Sequence, residues 1–404
     1  MRVLMFGWEF PPYSSGGLGT ACHGLTKGLH NHGVEVLFVI PSCPGEIHSE
    51  NARIIVADDL KGVKLIAFDS PLCAYMTSAE YKNALLKGKA SKGKSSMYGS
   101  SLFEEVYRYS EFAKEIARME GFDVIHAHDW LTYMAGLNAR KVSGKPLVVH
   151  VHATEFDRSP SPNPAVYNIE REGMHEADVI IAVSNYTKNK IVEHYGVPPD
   201  KIRVVHNAVE FSNEDSHFES PFKDNDKIVL FLGRLTFQKG PDHFLYAAKR
   251  VLEVERNVKF VIAGSGDMER FIIEKAAELG LANHVLFTGF LKGRDVDKAY
   301  KMADLYVVPS VSEPFGITPL EAMRNGTPVL ISKQSGVSEV ISHCLKADFW
   351  DRDEMANKII AVLRYGELHH ELSRNGFSEV RRFNWDEPAQ KCMDVYNEAI
   401  TMGG

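Results

Sequence analysis

The run IVLFLGRLTFQKG, residues 228–240, opens with five apolar residues in a row. It then turns through Gly233 into a loop that ends at Lys239-Gly240. An unbroken apolar run reads as a strand buried on both faces, as in a parallel sheet, rather than as the alternating strand of a half-wet one. A helical stretch and another apolar run follow it. The start of the chain has the same grammar. VLMFGWEFPPYSSGG, residues 3–17, is an apolar run, then a loop ending at Gly16-Gly17. Next come a helix over Gly19–His32, stopped by Gly33, and a further strand. No residue-by-residue repetition links the two stretches; they share only a plan.

Working outward, the first series of candidate strands is Val3–Phe6, Val36–Ile40, Val124–His126, Leu147–Val151 and Val179–Val183. The second is Ile228–Leu232, Val258–Ala263, Val285–Thr288, Leu305–Val308 and Pro328–Ile331. Helical stretches alternate with them. The polar segment EFSNEDSHFESPFKDND, residues 210–226, carries little to bury and reads as the linker. The pattern predicts an α/β chain of two Rossmann-like domains facing a central cleft, with ligands at the carboxyl ends of the strands. KGKASKGKSSMYGSS, residues 87–101, has no periodicity. It reads as a solvated loop, with a flap over an acceptor as the alternative.

Composition narrows the function. The length of 404 residues fits two domains of about 200 residues each, since single cores rarely outgrow roughly 250–300 residues. A formal charge of −7 argues against a dedicated nucleic-acid binder. No apolar run is long enough for a transmembrane segment. The opening MRVLMFGWEFPPY is too broken for a signal peptide. Cys22, Cys43, Cys73, Cys344 and Cys392 are scattered, and no CxxC pairs them. They read as reduced thiols, and the expected location is cytoplasmic.

Several chemistries are missing from the sequence. It has no GxxxxGK[ST] and no GxSxG, and the glycines Gly264 and Gly266 meet Glu269 where a dinucleotide fingerprint needs a third glycine. The densest candidate site is SEPFGITPLEAM, residues 312–323. Thr318, Pro319 and Glu321 fit N-cap, N1 and N3 of a helix, so a capping box is one role for Glu321. The same helix start offers free N–H groups and a positive dipole end. Gly316 admits a phosphate close to the backbone, and Phe315, Gly316 and Ile317 could donate to a diphosphate. Glu313 could accept sugar hydroxyl protons. Arg234 and Lys239 are either solvated cations or a clamp on a leaving diphosphate.

The triplets Asp224–Asp226, Asp295–Asp297 and Asp351–Asp353 do not make a convincing metal motif. His126/His128 and His150/His152 form two HxH triplets at strand ends. Positions i and i+2 share a face, so either triplet could chelate a metal. The alternative, which carries the prediction of no metal site, has one histidine of each pair in the core and the other lining the cleft. Ser14–Gly19, SSGGLG, is a flexible turn or a phosphate-facing one.

Together these residues resemble the retaining GT-B glycosyltransferases of family 4 and the glycogen and starch synthases close to them. The marks are PPYSSGGLG, HAHDW (126–130), HVHATEFD (150–157), AVSNYT (182–187), HNAVE (206–210), GRLTFQKG (233–240) and SEPFGITPLEAMRNGTPV (312–329). The resemblance covers nearly the whole chain. It implies an N-terminal acceptor domain over 1–209, a nucleotide-sugar donor domain over 210–382, and a final helix over 383–404 that packs back on the first domain. It also implies that Arg234 and Lys239 hold the donor diphosphate and that Glu321 binds the ribose. Glu313 and His152 would lie by the donor sugar, and Phe315, Gly316 and Ile317 would meet phosphates or sugar. Gly16 and Gly17 would form a mobile loop near phosphate and acceptor, and the base would rest near Leu291. One departure stands out. Bacterial-type glycogen synthases begin this loop Lys-Thr-Gly-Gly-Leu, and here it is Ser14-Ser15-Gly16-Gly17-Leu18.

The implied activity is retaining transfer of a hexose, with glucose favoured, to a saccharide acceptor. The donor is a UDP-, ADP- or GDP-linked sugar, and no cofactor or catalytic metal is needed. Two rivals are a non-catalytic nucleotide-sugar binding protein and a metal-dependent hydrolase using the HxH pairs.

Overall fold

A computed structural model describes residues 1–11, 16–41, 50, 52–56, 100–211 and 226–403 of the chain. Ser14, Ser15, Cys43, Cys73, Asp224, most of the proposed linker and residues 87–99 of the proposed flap lie outside the described residues. The chain divides into two compact units. Unit 1 is Met1–Phe156, Pro160–Ala208 and Asn384–Gly404; unit 2 is Asp157–Ser159 and Val209–Phe383.

Unit 1 is built on β1 (Arg2–Phe6), β2 (Glu35–Ile40), β3 (Arg53–Val56), β4 (Val124–His128), β5 (Leu147–Val151), β6 (Val179–Ala182) and β7 (Ile202–Val204). These strands form one sheet in the order β3-β2-β1-β4-β5-β6-β7, and every neighbouring pair is parallel. Unit 2 carries β8 (Lys227–Leu232), β9 (Val258–Ala263), β10 (Val285–Gly289), β11 (Leu305–Val308), β12 (Val329–Ser332) and β13 (Leu345–Ala347). Their order is β10-β9-β8-β11-β12-β13, again all parallel. Both sheets therefore reverse direction beside their first strand, between β1 and β4 and between β8 and β11. In open parallel sheets, ligands sit just beyond the carboxyl ends of the strands at such a reversal.

Every predicted strand is present. Three others, β3 (RIIV), β7 (IRV) and β13 (LKA), were not foreseen, because they are only three or four residues long and each carries a charged residue. Helix α1 (Gly17–Asn31) begins two residues before the predicted Gly19, and Gly33 follows it in the left-handed conformation at φ +76°. The final helix, Asp386–Gly403, belongs to unit 1 and lies along α1. The fit requires glycine on α1. A Cβ added at Gly24 would fall 2.1 Å from the Trp385 ring, and one at Gly28 would fall 2.3 Å from the Trp385 carbonyl oxygen. No helix among the described residues is long and apolar enough to cross a membrane.

Candidate active site

In unit 2 the loop after β8 crosses the loop after β9. Gly264, at φ +141°, lets the backbones meet; a Cβ there would sit 1.9 Å from the Gly233 carbonyl oxygen. The Leu235 N–H donates to the Ser265 carbonyl at 2.9 Å, and the Met268 N–H donates to that of Leu235 at 2.9 Å. Gly264 and Gly266 thus serve loop crossing, a role that the incomplete dinucleotide pattern did not suggest. The β8 loop then passes through a 3₁₀ turn, Phe237–Lys239, to Gly240. Gly240 has φ +62°, and a Cβ there would lie 2.3 Å from the Pro309 carbonyl oxygen. This close approach brings Lys239 to the end of β11.

The outcome is an ion pair at the reversal between β8 and β11. Lys239 Nζ lies 2.5 Å from Glu313 Oε2, and the same oxygen accepts from Ser310 Oγ at 3.2 Å. Glu313 is only 5% exposed, so this pair is partly desolvated and stronger than a surface pair. Its backbone is fixed as well. The Glu313 N–H donates to Gln334 and its carbonyl accepts from Gly336, each at 2.9 Å. Neither Ser310 nor the 334–336 strut was singled out in the sequence. Arg234 is half-buried on the same β8 loop.

The helix after β11 starts earlier than its pattern suggests. It spans Ile317–Arg324 with Gly316 at N-cap, at φ +97°. Thr318 is therefore not the N-cap, and Glu321 stands too far along to close a capping box. The positive φ that Gly316 adopts decides this, and no motif of four side chains reveals it. Glu321 Oε2 instead accepts from the Tyr300 hydroxyl at 3.1 Å. Burial pushes the Glu321 carboxyl up from its ordinary value, while Arg324 and the Tyr300 hydroxyl pull it down. Gly316 leaves room for the Glu313 side chain, since a Cβ on Gly316 would lie 3.0 Å from Glu313 Cγ. Phe315 is buried and Ile317 half-buried. Leu291 is half-buried in the loop between β10 and the helix Arg294–Met302.

The aspartate triplets that can be traced are otherwise engaged. Asp295 pairs with Lys298 at 2.9 Å, Asp297 with Arg324 at 2.7 Å, and Asp353 with Arg250 at 3.1 Å. Asp351 caps a helix by accepting from the Glu354 N–H at 2.8 Å.

In unit 1 the reversal lies between β1 and β4. Gly16 is the N-cap of α1 with extended backbone at φ −152°. The buried carboxylate of Glu9 accepts from the Gly19 N–H at 3.0 Å, so part of this helix start is already occupied by an anion. At the ends of β4 and β5 four imidazoles gather. His128 is registered opposite His150, and neighbouring ring centroids lie 4.2–5.3 Å apart. His126, His128 and His150 are buried and His152 is half-buried. His126 and His128 are both fully covered, so the expected split of each pair into one core and one outer ring fails for that triplet; in the other, only His152 is partly exposed.

Asp129 orders this end. It is the only non-glycine residue with positive φ among the described residues, at +56°. Its Oδ1 accepts from the His152 N–H at 2.7 Å and the Ala153 N–H at 3.3 Å. A side chain held in that region costs about 1–3 kcal/mol, and such outliers gather at functional sites. Burial keeps His152 below the ordinary histidine value although Asp129 opposes it, so the ring is neutral near pH 7.

Comparison with known proteins agrees with this geometry. Residues 15–213 match the model of Glycosyltransferase Family 4, and residues 212–379 match that of Glycosyl transferases group 1. An uncharacterized glycosyltransferase of Methanocaldococcus jannaschii is 31% identical over the whole of both chains. A glycogen synthase of Mycobacterium tuberculosis is 27% identical over 84% of this chain and 80% of its own. In fold, a sucrose-phosphate synthase of Thermosynechococcus elongatus superimposes with a TM-score of 0.78 at 21% identity, covering 99% of each chain. Two parallel-sheet α/β units of GT-B type and full-length similarity lead to one conclusion: the chain belongs to the glycosyltransferases of group 1 and family 4.

Proposed function

We propose that this glycosyltransferase moves a hexose, with glucose the first choice, from a nucleotide diphosphate sugar to a saccharide acceptor with retention at the anomeric carbon. In this reading fixed cations, not a metal ion, neutralise the diphosphate. The observation that carries it is the Lys239–Glu313 ion pair at the reversal of the unit 2 sheet, against the helix start at Gly316. A diphosphate brings two or more negative charges to such a point and gains another as the glycosidic bond breaks. Preorganised cations and N–H groups stabilise that charge.

Lys239 exchanges Glu313 for a phosphate oxygen, and Arg234 supplies the second cation. Glu313, released, accepts hydroxyls of the donor sugar. The N–H groups of Phe315, Gly316 and Ile317 face phosphate or sugar at the helix start. Glu321 takes the ribose hydroxyls while Tyr300 holds one of its oxygens. His152, as a neutral ring, lies by the donor sugar. Gly16 and Gly17 border phosphate and acceptor, and the base rests near Leu291. No enzyme nucleophile takes part. The anomeric carbon–phosphate oxygen bond breaks, and the incoming hydroxyl oxygen bonds to the same face. The departing phosphate oxygen takes that hydroxyl's proton.

A thermal-shift panel of UDP-, ADP- and GDP-glucose tests donor binding, since a ligand that binds the native state raises the melting temperature. Proton NMR of the first product reads the anomer. A melting temperature unmoved by every nucleotide sugar, or an inverted anomer, overturns the proposal.

A further inference from the structure

We infer that the ends of β4 and β5 hold one divalent transition-metal ion of the zinc class, ligated by ring nitrogens of His126, His128 and His150. The site is separate from the transfer chemistry proposed above, and no step of that chemistry passes through it. The three rings are 0%, 0% and 2% exposed. His126 Nε2, His128 Nε2 and both ring nitrogens of His150 are buried without a hydrogen-bond partner. Buried polar atoms are almost always paired, and several orphans in one cluster call for a water or an ion.

His126 and His128 each keep one unpaired ring nitrogen and His150 keeps two, so each ring has a nitrogen to offer a metal. One ring nitrogen from each of the three histidines lies within 4.8 Å of the other two. Tetrahedral zinc, with bonds of about 2.0–2.1 Å, sets its nitrogens about 3.3–3.4 Å apart, so modest ring rotation closes the site. His126 Nδ1 is engaged by the Tyr396 hydroxyl at 2.7 Å, and His128 Nδ1 by His152 Nε2 at 2.9 Å. An outer partner on one ring nitrogen fixes the tautomer and leaves the other nitrogen for a metal. Burial and the neighbouring rings also keep the imidazoles neutral, the form that ligates. An all-imidazole set suits zinc, nickel or copper and not calcium or magnesium.

A second candidate set, Cys22, His128 and His152, shares one ligand with the first. In that set His152 Nε2 is already engaged by His128 Nδ1 at 2.9 Å, whereas both ring nitrogens of His150 are without a partner, so the imidazole set is preferred.

The test uses the full chain without a histidine tag, grown with zinc chloride and desalted. Elemental analysis is expected to find about one zinc per chain. His150→Gln should lower retained zinc at least about tenfold with unchanged circular dichroism, and Cys22→Ser should leave it in place. Chelator-stripped wild type should rise in melting temperature with zinc chloride, fall back with EDTA, and show the visible bands of a low-coordinate site with cobalt chloride. This arm decides the matter should His150→Gln fail to fold. Zinc at background in the wild type, no thermal response, or retention unmoved by His150→Gln overturns the inference and leaves ordered water to satisfy the rings. Loss of zinc in Cys22→Ser overturns the ligand assignment. Nucleotide-sugar binding by the stripped protein is followed in parallel, so that failure of the donor reading is seen separately.

Discussion

The reversal points of the two sheets share a strand order and differ in chemistry. In unit 2 the polar groups ride on loops after β8 and β11, carry opposite charges, and neutralise one another in the Lys239–Glu313 pair. In unit 1 they ride on the strands themselves, as neutral imidazoles, with Asp129 turned onto backbone N–H groups. Topology fixes where a ligand can approach, and it does so twice. What approaches is set by whether the residues there are paired ions or neutral rings. In the proposed function a phosphate takes the place of the carboxylate on Lys239; buried neutral rings offer no such exchange.

The largest test of that contrast is Lys239→Ala. Turnover should fall by roughly 10²-fold or more, about 3 kcal/mol of transition-state stabilisation. It should also lower the melting temperature, because Glu313 is left buried with only the Ser310 hydroxyl on its Oε2 oxygen. Adding Glu313→Gln should restore stability without restoring turnover. If the double variant recovers activity as well, or if EDTA abolishes wild-type activity while Lys239→Ala spares it, the clamp is misassigned.

Much of this architecture could be read from the sequence for a simple reason. Strands buried on both faces are continuous apolar runs, and the bodies of β1, β2, β6 and β8 are that. The short strands RIIV, IRV and LKA have at most three apolar residues in a row and gain their place from neighbours. Site residues were legible as types and not as partners. Nothing local to Lys239 or Glu313 announces their pairing, because it depends on Gly240 packing against Pro309. The TPLE pattern suggested a cap, and the conformation of Gly316 decided otherwise. The HxH spacing gave each pair a common face, but the register that stacks His128 beside His150 is a property of the sheet.

The next test compares the glycines of the two reversal loops. Gly240→Ala meets both a positive φ and a backbone oxygen, and should cost roughly 1–3 kcal/mol in denaturant unfolding. A Cβ at Gly17 meets nothing within 4 Å. Gly17→Ala should therefore leave stability within about 0.5 kcal/mol, or raise it slightly. Any loss of turnover in Gly17→Ala then reports a ligand contact alone. Equal unfolding costs for the two variants would erase the distinction between a loop held by close packing and one that is open.

Charge in unit 2 should also appear in its pH dependence. Glu379 is buried, which opposes its ionisation, but the His343 and Ser342 N–H groups at 2.8–3.1 Å and the His343 ring hold its carboxyl below the ordinary 4.5. A depressed carboxyl stabilises the fold above its unfolded value, and the contribution is lost as pH falls through the folded one. Wild type should lose stability progressively below about pH 4.5. Glu379→Gln should be less stable at neutral pH and flatter on the acid side. Parallel curves for the two proteins would remove Glu379 from the account.

The smallest expected effect is the most selective. Glu321 does not cap its helix; the N-cap is Gly316, and the carboxylate is held by Tyr300. Glu321→Gln keeps an oxygen for the Tyr300 hydroxyl and removes a charge that burial disfavours, so the melting temperature should hold or rise slightly. A ribose that donates two hydroxyls to a carboxylate loses a charge-assisted acceptor when one oxygen becomes an amide, at about 1 kcal/mol, or roughly fivefold in donor affinity. Titration of the nucleotide, followed by calorimetry beside the melting curve, separates the two effects. Weaker binding at unchanged stability assigns Glu321 to the donor, as the charged chemistry of unit 2 requires. Unchanged binding would leave its carboxylate as Tyr300's partner alone, and the charged contribution of unit 2 would reduce to the clamp and Glu313.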